Sequence, residues 1–215
     1  MIHVMRPLPR EIWVACSGGL DSMAALDFLR RRHQVHVAYF DHQTSFGITS
    51  HAWLANYCQQ HDLDFVSARL QVDRPAKESQ EEFWRNQRLA WLHQLPGTVV
   101  SAHHLDDCVE TYLFNCLHGK PYTIAYQNQN IVRPFLTTPK SQLVNWCKRY
   151  QVPWLEDPSN QDTKYMRNHI RHNLIPQALR VNPGLAKVVR KIVVASLNKP
   201  MEDISTSGNM AISGH

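Results

Sequence analysis

Residues 12–22 read IWVACSGGLDS, a short apolar run that ends in a polar turn with two adjacent glycines. The run is too short for a helix, and its apolar side chains favour a buried strand. Met23, Leu26 and Leu29 then recur at helical spacing, so residues 21–32 are predicted to form an amphipathic helix. A strand, a tight turn and a helix in this order are the first unit of a sheet whose strands are joined by helical crossovers.

The rest of the chain repeats this alternation of short apolar runs and amphipathic stretches. Further strands are predicted at residues 35–41, 64–70, 98–102 and 131–135, and further helices from Ser50, from Ser79 to about His93, at 106–117, and from Pro139 to about Tyr150. Right-handed crossovers between such strands predict an α/β fold, with a doubly wound, mainly parallel five-stranded sheet of the Rossmann-like kind.

Length and composition limit the class of protein. The 215 residues suit a single sizeable core, and 43% apolar with 19% charged residues exclude a disordered or fibrous chain. The sequence has neither the apolar run of a signal peptide nor the ~20 apolar residues of a membrane span. Its five cysteines lack C-x-x-C spacing, which is typical of reduced core thiols. We therefore expect a cytoplasmic protein without a membrane partner, either a monomer or a homodimer.

Positive charge is concentrated near the end of the sequence. The formal net charge is +5, and residues 163–200 contain eight Lys or Arg but no Asp or Glu. The region after residue 201 is rich in Ser, Thr, Gly and Asn. We predict one domain over residues 1–200 that ends in a basic helical segment from about residue 163, followed by a disordered tail over 201–215.

The turn at residues 17–22, SGGLDS, has the composition of an anion site. It matches neither the dinucleotide fingerprint nor the Walker P-loop, yet its glycines allow backbone N–H groups to face an anion at a helix N-terminus. Ser17 and Ser22 add hydroxyl donors, and Asp21 could bind a Mg²⁺ ion that bridges phosphates. The alternative is an ordinary Gly-Gly turn in which Asp21 and Ser22 cap the helix.

A second polar group, HHLDDCVE at residues 103–110, follows the predicted fourth strand. Asp107 and Glu110 are three residues apart, so they share a helix face and form an acidic pocket suited to an ammonium group. Asp106 is a candidate helix cap. The alternative is a hydrolase metal site with the ligands His103, His104, Asp106 and Asp107.

Further segments follow in order: DH at 41–42, SQEEFWRNQR at 79–88, AHHLDDCVET at 102–111, RPF at 133–135, WLEDPSN at 154–160 and RNHIRH at 167–172. Together with SGGLDS, this series resembles the catalytic domain of the tRNA(Ile)-lysidine synthase family, within the N-type ATP pyrophosphatases or PP-loop enzymes. The resemblance spans roughly residues 11–185. It implies the adenine nucleotide alpha hydrolase-like fold of PP-loop ATPases.

The resemblance also implies an activity. It is the ATP-dependent ligation of free L-lysine to C2 of the wobble cytidine of tRNA(Ile) with a CAU anticodon, a carbon–nitrogen ligase reaction. ATP adenylates the cytidine at its C2 oxygen with release of pyrophosphate. The amine of lysine then displaces AMP and gives lysidine. ATP and Mg²⁺ are the cofactors that the resemblance implies.

Site roles follow from the same resemblance, residue by residue. Asp21, His103 and Arg171 would be catalytic, Asp107 and Glu110 would bind lysine, and Asp21 would hold Mg²⁺ through phosphates. The ATP-binding set is Ser17, Gly18, Gly19, Leu20, Asp21, Ser22, Asp41 and His42. The RNA-binding set is Arg85, Arg88, Arg167, Lys187, Arg190 and Lys191.

Some of these roles have structural alternatives. Asp41 and His42 could instead be a satisfied structural pair, and Arg85 and Arg88 could form a solvated helix face. Arg171 lies four residues after Arg167, so the two would clamp phosphates of either ATP or RNA.

Two other functions remain open, and the sequence departs from the family in two loops. The alternatives are another PP-loop enzyme that modifies tRNA with a different nucleophile, and an inactive RNA-binding relic; a thiolase would typically need C-x-x-C cysteines. Residues 118–123, HGKPYT, stand where the family usually has a glycine-rich loop, and QTS at 43–45 replaces Gly-Leu-Arg. RNA contacts there are expected to differ. We also expect this chain to lack the helical domains that usually follow.

Overall fold

The structure, a computed structural model, describes residues 1–156 and 166–197. The strands are β1 (Glu11–Ala15), β2 (Gln34–Asp41), β3 (Asp64–Arg69), β4 (Val99–Ser101), β5 (Gln127–Asn128) and β6 (Ile131–Val132). The helices are α1 (Leu20–Arg30), α2 (Ser45–Gln60), α3 (Gln80–Leu92), α4 (Leu105–Leu117), α5 (Lys140–Tyr150), α6 (Met166–His169), α7 (Ile175–Val181) and α8 (Leu185–Leu197). A π-helical turn, Ile170–Leu174, joins α6 to α7.

The strands form one sheet in the order β3-β2-β1-β4-β6-β5. The first five strands of this order pair in parallel, and β5 pairs with β6 in the antiparallel sense. The predicted doubly wound, mainly parallel sheet is therefore confirmed, but the predicted number of five strands is wrong because β5 adds a sixth. Both residues of β5 are exposed and polar, so no apolar run marks it in the sequence.

The strand order reverses between β1 and β4. From β1 the chain continues through α1 to β2 on one side, and from β4 it continues through α4 towards β6 on the other side. The largest apolar cluster joins β1 and β2 to α1, α2 and α5. A second cluster packs α8 against α4, and a third packs the end of α3 against β4 and β6. In doubly wound folds, ligands bind at the carboxyl ends of the strands on either side of such a reversal.

Several helix ends follow the capping chemistry of the sequence. Ser79 caps α3 by accepting a hydrogen bond from the Glu82 N–H at 3.2 Å, as its capping box predicts. Gly119 has a φ of +73° directly after α4, as expected for a glycine at a helix C-terminus. The helix expected from Ser50 begins earlier, at Ser45. Among the described helices, none combines the length and apolar character needed to cross a membrane.

Gly47, in the first turn of α2, provides a test of the packing beside β2. A Cβ there would overlap Asp41 Oδ1. Asp41 cannot easily move, because it is 2% exposed and its carboxylate is bound by Arg69 Nε at 2.8 Å. We expect Gly47→Ala to lower the free energy of unfolding by about 1–3 kcal/mol, measured by urea denaturation. Thr49→Ala, at an exposed position of the same helix, is the control; equal stability of the two variants would contradict the prediction.

Candidate active site at the carboxyl ends of β1, β4 and β6

Three loops meet where β1, β4 and β6 end. Asp21 comes from the start of α1, His104 precedes α4, and Lys140 begins α5. Lys140 Nζ lies 3.1 Å from Asp21 Oδ2, and His104 Nε2 lies 3.5 Å from Asp21 Oδ1. The reversal of strand order therefore places two basic side chains, Lys140 and His104, against the Asp21 carboxylate.

The SGGLDS turn joins β1 to α1 with an unusual backbone. Gly18 has a φ of +82°, in the left-handed region that favours glycine. Its carbonyl accepts a hydrogen bond at 2.9 Å from the N–H of Leu155, on a distant segment of the chain. Gly19 is the N-cap of α1, and among the described residues no side chain caps the helix there. An uncapped helix N-terminus with a fixed turn before it is a suitable place for an anion.

The two serines of the turn have different surroundings. Ser22 is buried, donates from Oγ to the Gly19 carbonyl at 2.9 Å and accepts from the Ser17 N–H at 3.2 Å. Ser17 is exposed, with its Oγ 3.3 Å from that of Ser22. Ser22 thus stabilises the turn from inside, whereas Ser17 faces the solvent where a ligand would bind. Leu20, also in the predicted ATP-binding set, begins α1 and is half-buried.

Asp21 is ionised and suited to a cation. Burial alone raises its pKa, but His104 and Lys140 outweigh this effect and hold the pKa below its usual value of 3.8. Oδ1 is buried and accepts no hydrogen bond within the described part of the chain. An ionised carboxylate fits Mg²⁺, which usually takes one or two protein carboxylates and completes its shell with phosphates and water. The ion would share Oδ1 with His104, whose Nε2 lies 3.5 Å away.

His104 contacts Asp21, but the sequence analysis named it only as a ligand of the alternative metal site. It is 2% exposed and forms a capping box with Asp107, whose Oδ2 accepts from the His104 N–H at 2.9 Å. Burial lowers the pKa of His104, but Asp21, Asp107 and Asp106 outweigh it and raise the pKa above 6.5. Histidine is an uncommon N-cap, so the sequence pointed to Asp106 instead. Asp106 in fact accepts the backbone N–H of Lys140 at 2.7 Å.

The predicted lysine-binding pair is joined to the predicted catalytic arginine. Arg171 donates to Glu110 Oε2 from Nη2 at 2.8 Å and from Nε at 3.2 Å, and its Nη2 lies 3.7 Å from Asp107 Oδ1. The Glu110 side chain is 4% exposed and that of Arg171 is 39% exposed. A buried carboxylate is costly without a partner, so Arg171 compensates Glu110 from the solvent side. Arg171 of the same chain thus already binds Glu110, one member of the acidic pair.

The other predicted contacts lie along the same edge of the sheet. His103 Nδ1 is 2.7 Å from the Oγ of Ser101, the last residue of β4. Asp41 binds Arg69, which favours its structural interpretation. His42 lies against Trp84, with ring centroids 5.3 Å apart, and lines a cavity of about 280 Å³. Burial, then the charge of Arg88, lowers the pKa of His42 to about 4, so its imidazole is neutral.

The predicted RNA-binding residues form two positive surfaces. Arg85 and Arg88 of α3 lie close enough to the buried Arg133 to lower its pKa, after burial itself, to about 10. Arg133 is 5% exposed, and the sequence singled it out only as part of a motif. Lys187, Arg190 and Lys191 are exposed on α8. The side chain of Arg167 and residues 201–215 lie outside the described residues.

The hydrolase alternative needs a cluster of metal ligands. Within residues 1–156 and 166–197, no three His, Cys, Asp or Glu side chains are grouped so as to hold a metal ion. Of its four candidate ligands, His104 and Asp107 bind one another and Asp106 binds the start of α5.

Comparison with known proteins identifies the family. A family model described as a PP-loop domain matches residues 3–178. The chain is 33% identical over 181 residues to the tRNA(Ile)-lysidine synthase of Aster yellows witches'-broom phytoplasma, covering 76% of this chain and 40% of that protein. It is 33% identical over 211 residues to the protein of the same name from Legionella pneumophila, covering 85% and 48%. The chain spans less than half the length of these curated relatives.

Solved structures show the same fold at low sequence identity. The U34-tRNA thiolase NcsA from Methanococcus maripaludis aligns with a TM-score of 0.73 at 11% identity, covering 90% of this chain and 73% of that one. The NH3-dependent NAD synthetase from Campylobacter jejuni aligns with a TM-score of 0.50 at 14% identity, covering 89% and 87%. The fold, the position of the SGGLDS turn at the end of β1 and the match over residues 3–178 agree, and this chain belongs to the PP-loop domain family.

Proposed function

We propose that this chain catalyses the ATP-dependent ligation of lysine to C2 of the wobble cytidine of tRNA(Ile) with a CAU anticodon. One observation carries the proposal. His104 contacts both Asp21 of the SGGLDS turn and Asp107, and Arg171 connects Asp107 to Glu110. A phosphate-binding turn next to an acidic pair that suits an ammonium group is what a reaction between ATP and an amine requires. The similarity to proteins named tRNA(Ile)-lysidine synthase supports this choice of substrates.

In the first step, the turn and the N-terminus of α1 bind the phosphates of ATP, and Asp21 is the residue that would hold Mg²⁺. When bound, Mg²⁺ neutralises charge on the departing pyrophosphate. The adenine would lie near the cavity beside His42, whose neutral imidazole can accept a hydrogen bond. Asp41 is bound to Arg69, so it would shape this region rather than contact the base.

Adenylation forms a bond between the cytidine C2 oxygen and the α phosphorus, and breaks the bond from that phosphorus to pyrophosphate. His103 is proposed to contact the phosphates or the cytidine oxygen, from a position fixed by Ser101. Arg171 is proposed to stabilise the negative charge that develops there. Its exposed guanidinium is held by Glu110, so it is oriented before the substrate arrives.

In the second step, Asp107 and Glu110 bind an ammonium group of lysine. An uncharged amine of lysine attacks C2, the C2–O bond to AMP breaks, and the proton that the amine loses passes to solvent water. Arg171 occupies part of the acidic pair in the free protein, so lysine has to share or displace this contact. Because Asp107 also accepts the His104 N–H, the lysine site is linked to the phosphate site.

Direct product analysis tests the proposal. The protein is incubated with ATP, Mg²⁺, lysine and a tRNA(Ile) transcript with a CAU anticodon, and the digested RNA is analysed by mass spectrometry for lysidine. Lysidine formation supports the proposal. Pyrophosphate release that depends on tRNA but yields no lysidine would point to a different nucleophile. No release at all would favour an RNA-binding relic.

RNA binding is expected to depend strongly on salt. Four to six phosphate contacts would weaken the affinity by about a hundredfold or more between 50 and 200 mM salt. The α8 surface of Lys187, Arg190 and Lys191 is one source of such contacts, because all three are exposed. Replacing the three by glutamine should reduce the slope of log affinity against log salt by about 2 to 3, measured by filter binding.

The matched control is Lys148→Gln with Arg149→Gln, which removes two exposed charges at the end of α5. This control should leave the slope close to that of the unchanged protein. A salt slope that does not change when the α8 charges are removed would show that α8 does not contact RNA phosphates.

A further inference from the structure

Lys140 was not among the residues that the sequence predicted for the site. Its ammonium nevertheless lies 3.1 Å from Asp21 Oδ2, inside the region proposed to bind the phosphates of ATP. It is the first residue of α5, which has Pro139 as N-cap and no side-chain cap. A cation at this position is opposite in charge to both Asp21 and the proposed ligand.

The backbone of Lys140 is held by the loop that carries the other site residues. Its N–H donates to Asp106 Oδ2 at 2.7 Å, which gives α5 the acceptor that its N-cap lacks. The carbonyl of Thr138 accepts from the Leu105 N–H at 2.9 Å. The buried hydroxyl of Thr138 binds His3. These contacts fix the base of the Lys140 side chain relative to α4.

The ammonium itself is less constrained. The side chain of Lys140 is 39% exposed, and Asp21 is its one ion-pair partner among residues 1–156 and 166–197. The ammonium of lysine is carried by a flexible chain of four carbons, so it can change partners without movement of the helix. A divalent cation on Asp21 would repel the ammonium from Oδ2, while the polyphosphate beside it would attract the ammonium.

We propose that Lys140 is a further nucleotide-binding residue, whose ammonium neutralises Asp21 in the free protein and transfers to the polyphosphate when ATP binds. The inference rests on the proposed function in so far as it takes the SGGLDS turn to be the phosphate site. Lys140 keeps the Asp21 carboxylate charged and compensated while the site is empty. It then adds positive charge opposite the departing pyrophosphate, where negative charge develops.

The test uses Lys140→Met, which keeps an unbranched apolar stem and removes the charge. Inorganic pyrophosphate without metal is titrated by calorimetry, and Mn²⁺ without nucleotide is titrated by electron paramagnetic resonance. We expect Lys140→Met to bind pyrophosphate at least about tenfold more weakly, since a charge-assisted contact is lost. We expect it to bind Mn²⁺ several times more tightly, because the competing ammonium is gone.

Two further variants make the result specific. Lys140→Arg keeps a cation and should restore most of the pyrophosphate affinity, whereas Lys148→Met, at an exposed position of the same helix, should match the unchanged protein in both titrations. The gain in Mn²⁺ affinity cannot arise from misfolding. Unchanged pyrophosphate and Mn²⁺ binding by Lys140→Met would overturn the inference and leave the proposed function standing. Failure of the unchanged protein to bind pyrophosphate or ATP would overturn both.

Discussion

Asp21→Asn is expected to reduce tRNA-dependent pyrophosphate release by about a thousandfold, the scale of losing one preorganised charge in a transition state. Asparagine keeps the shape of the side chain but cannot balance the charge of Mg²⁺ or of Lys140. Release is measured under single-turnover conditions without lysine, which isolates the adenylation step.

The control for this variant is Asp64→Asn, at the amino end of β3. Asp64 is 76% exposed and binds His36, at the opposite end of the sheet from the site. It should release pyrophosphate at the rate of the unchanged protein. Thermal unfolding of both variants separates a catalytic loss from unfolding. An Asp21→Asn protein that is folded and releases pyrophosphate at an unchanged rate would refute the role of Asp21.

Glu110→Gln is expected to raise the lysine concentration needed for half-maximal lysidine formation by about 10- to 100-fold. The reason is electrostatic: hydrogen bonds to charged groups contribute about 1.5–3 kcal/mol, and a neutral amide cannot compensate an ammonium. Pyrophosphate release without lysine should change much less, because Asp107 still lies near Arg171. The measurement is lysidine formation at increasing lysine concentration, with pyrophosphate release followed in parallel.

Glu11→Gln is the matched control, since Glu11 is 65% exposed and binds His36 far from the site. It should leave both steps unchanged. Glu110 is buried, so the stability of the Glu110→Gln protein has to be measured as well. A loss of pyrophosphate release with an unchanged lysine requirement would contradict lysine binding, and would show that Glu110 serves only to orient Arg171.

The sequence predicted the parallel sheet because each of its strands is an apolar run with a helix after it. The two-residue strand β5 escaped this reasoning, since Gln127 and Asn128 are exposed and β5 is defined only by its pairing with β6. The start of α3 was predicted correctly because its capping residue, Ser79, is visible in the sequence. The start of α2 was missed because Thr44, its N-cap, makes no side-chain cap there.

Within the site, local motifs indicated the right loops but not their contacts. The SGGLDS turn and the Asp107–Glu110 pair are visible as spacings in the sequence. The ion pair between Lys140 and Asp21 joins residues 119 positions apart, so no local pattern reports it. Likewise, that Arg171 contacts Glu110 is a result of tertiary packing between the π-helical turn and α4.

The hydrogen bond from Leu155 to Gly18 sets a limit on how this protein can be dissected. The last described strand ends at Val132, yet a fragment that ends there would lose Leu155, whose N–H binds the carbonyl of Gly18 in the glycine turn. It would also lose Arg171, which binds the buried Glu110, and α8, which covers the apolar side of α4. A fragment that keeps all three of these contacts therefore has to extend through α8, well beyond the last strand of the sheet.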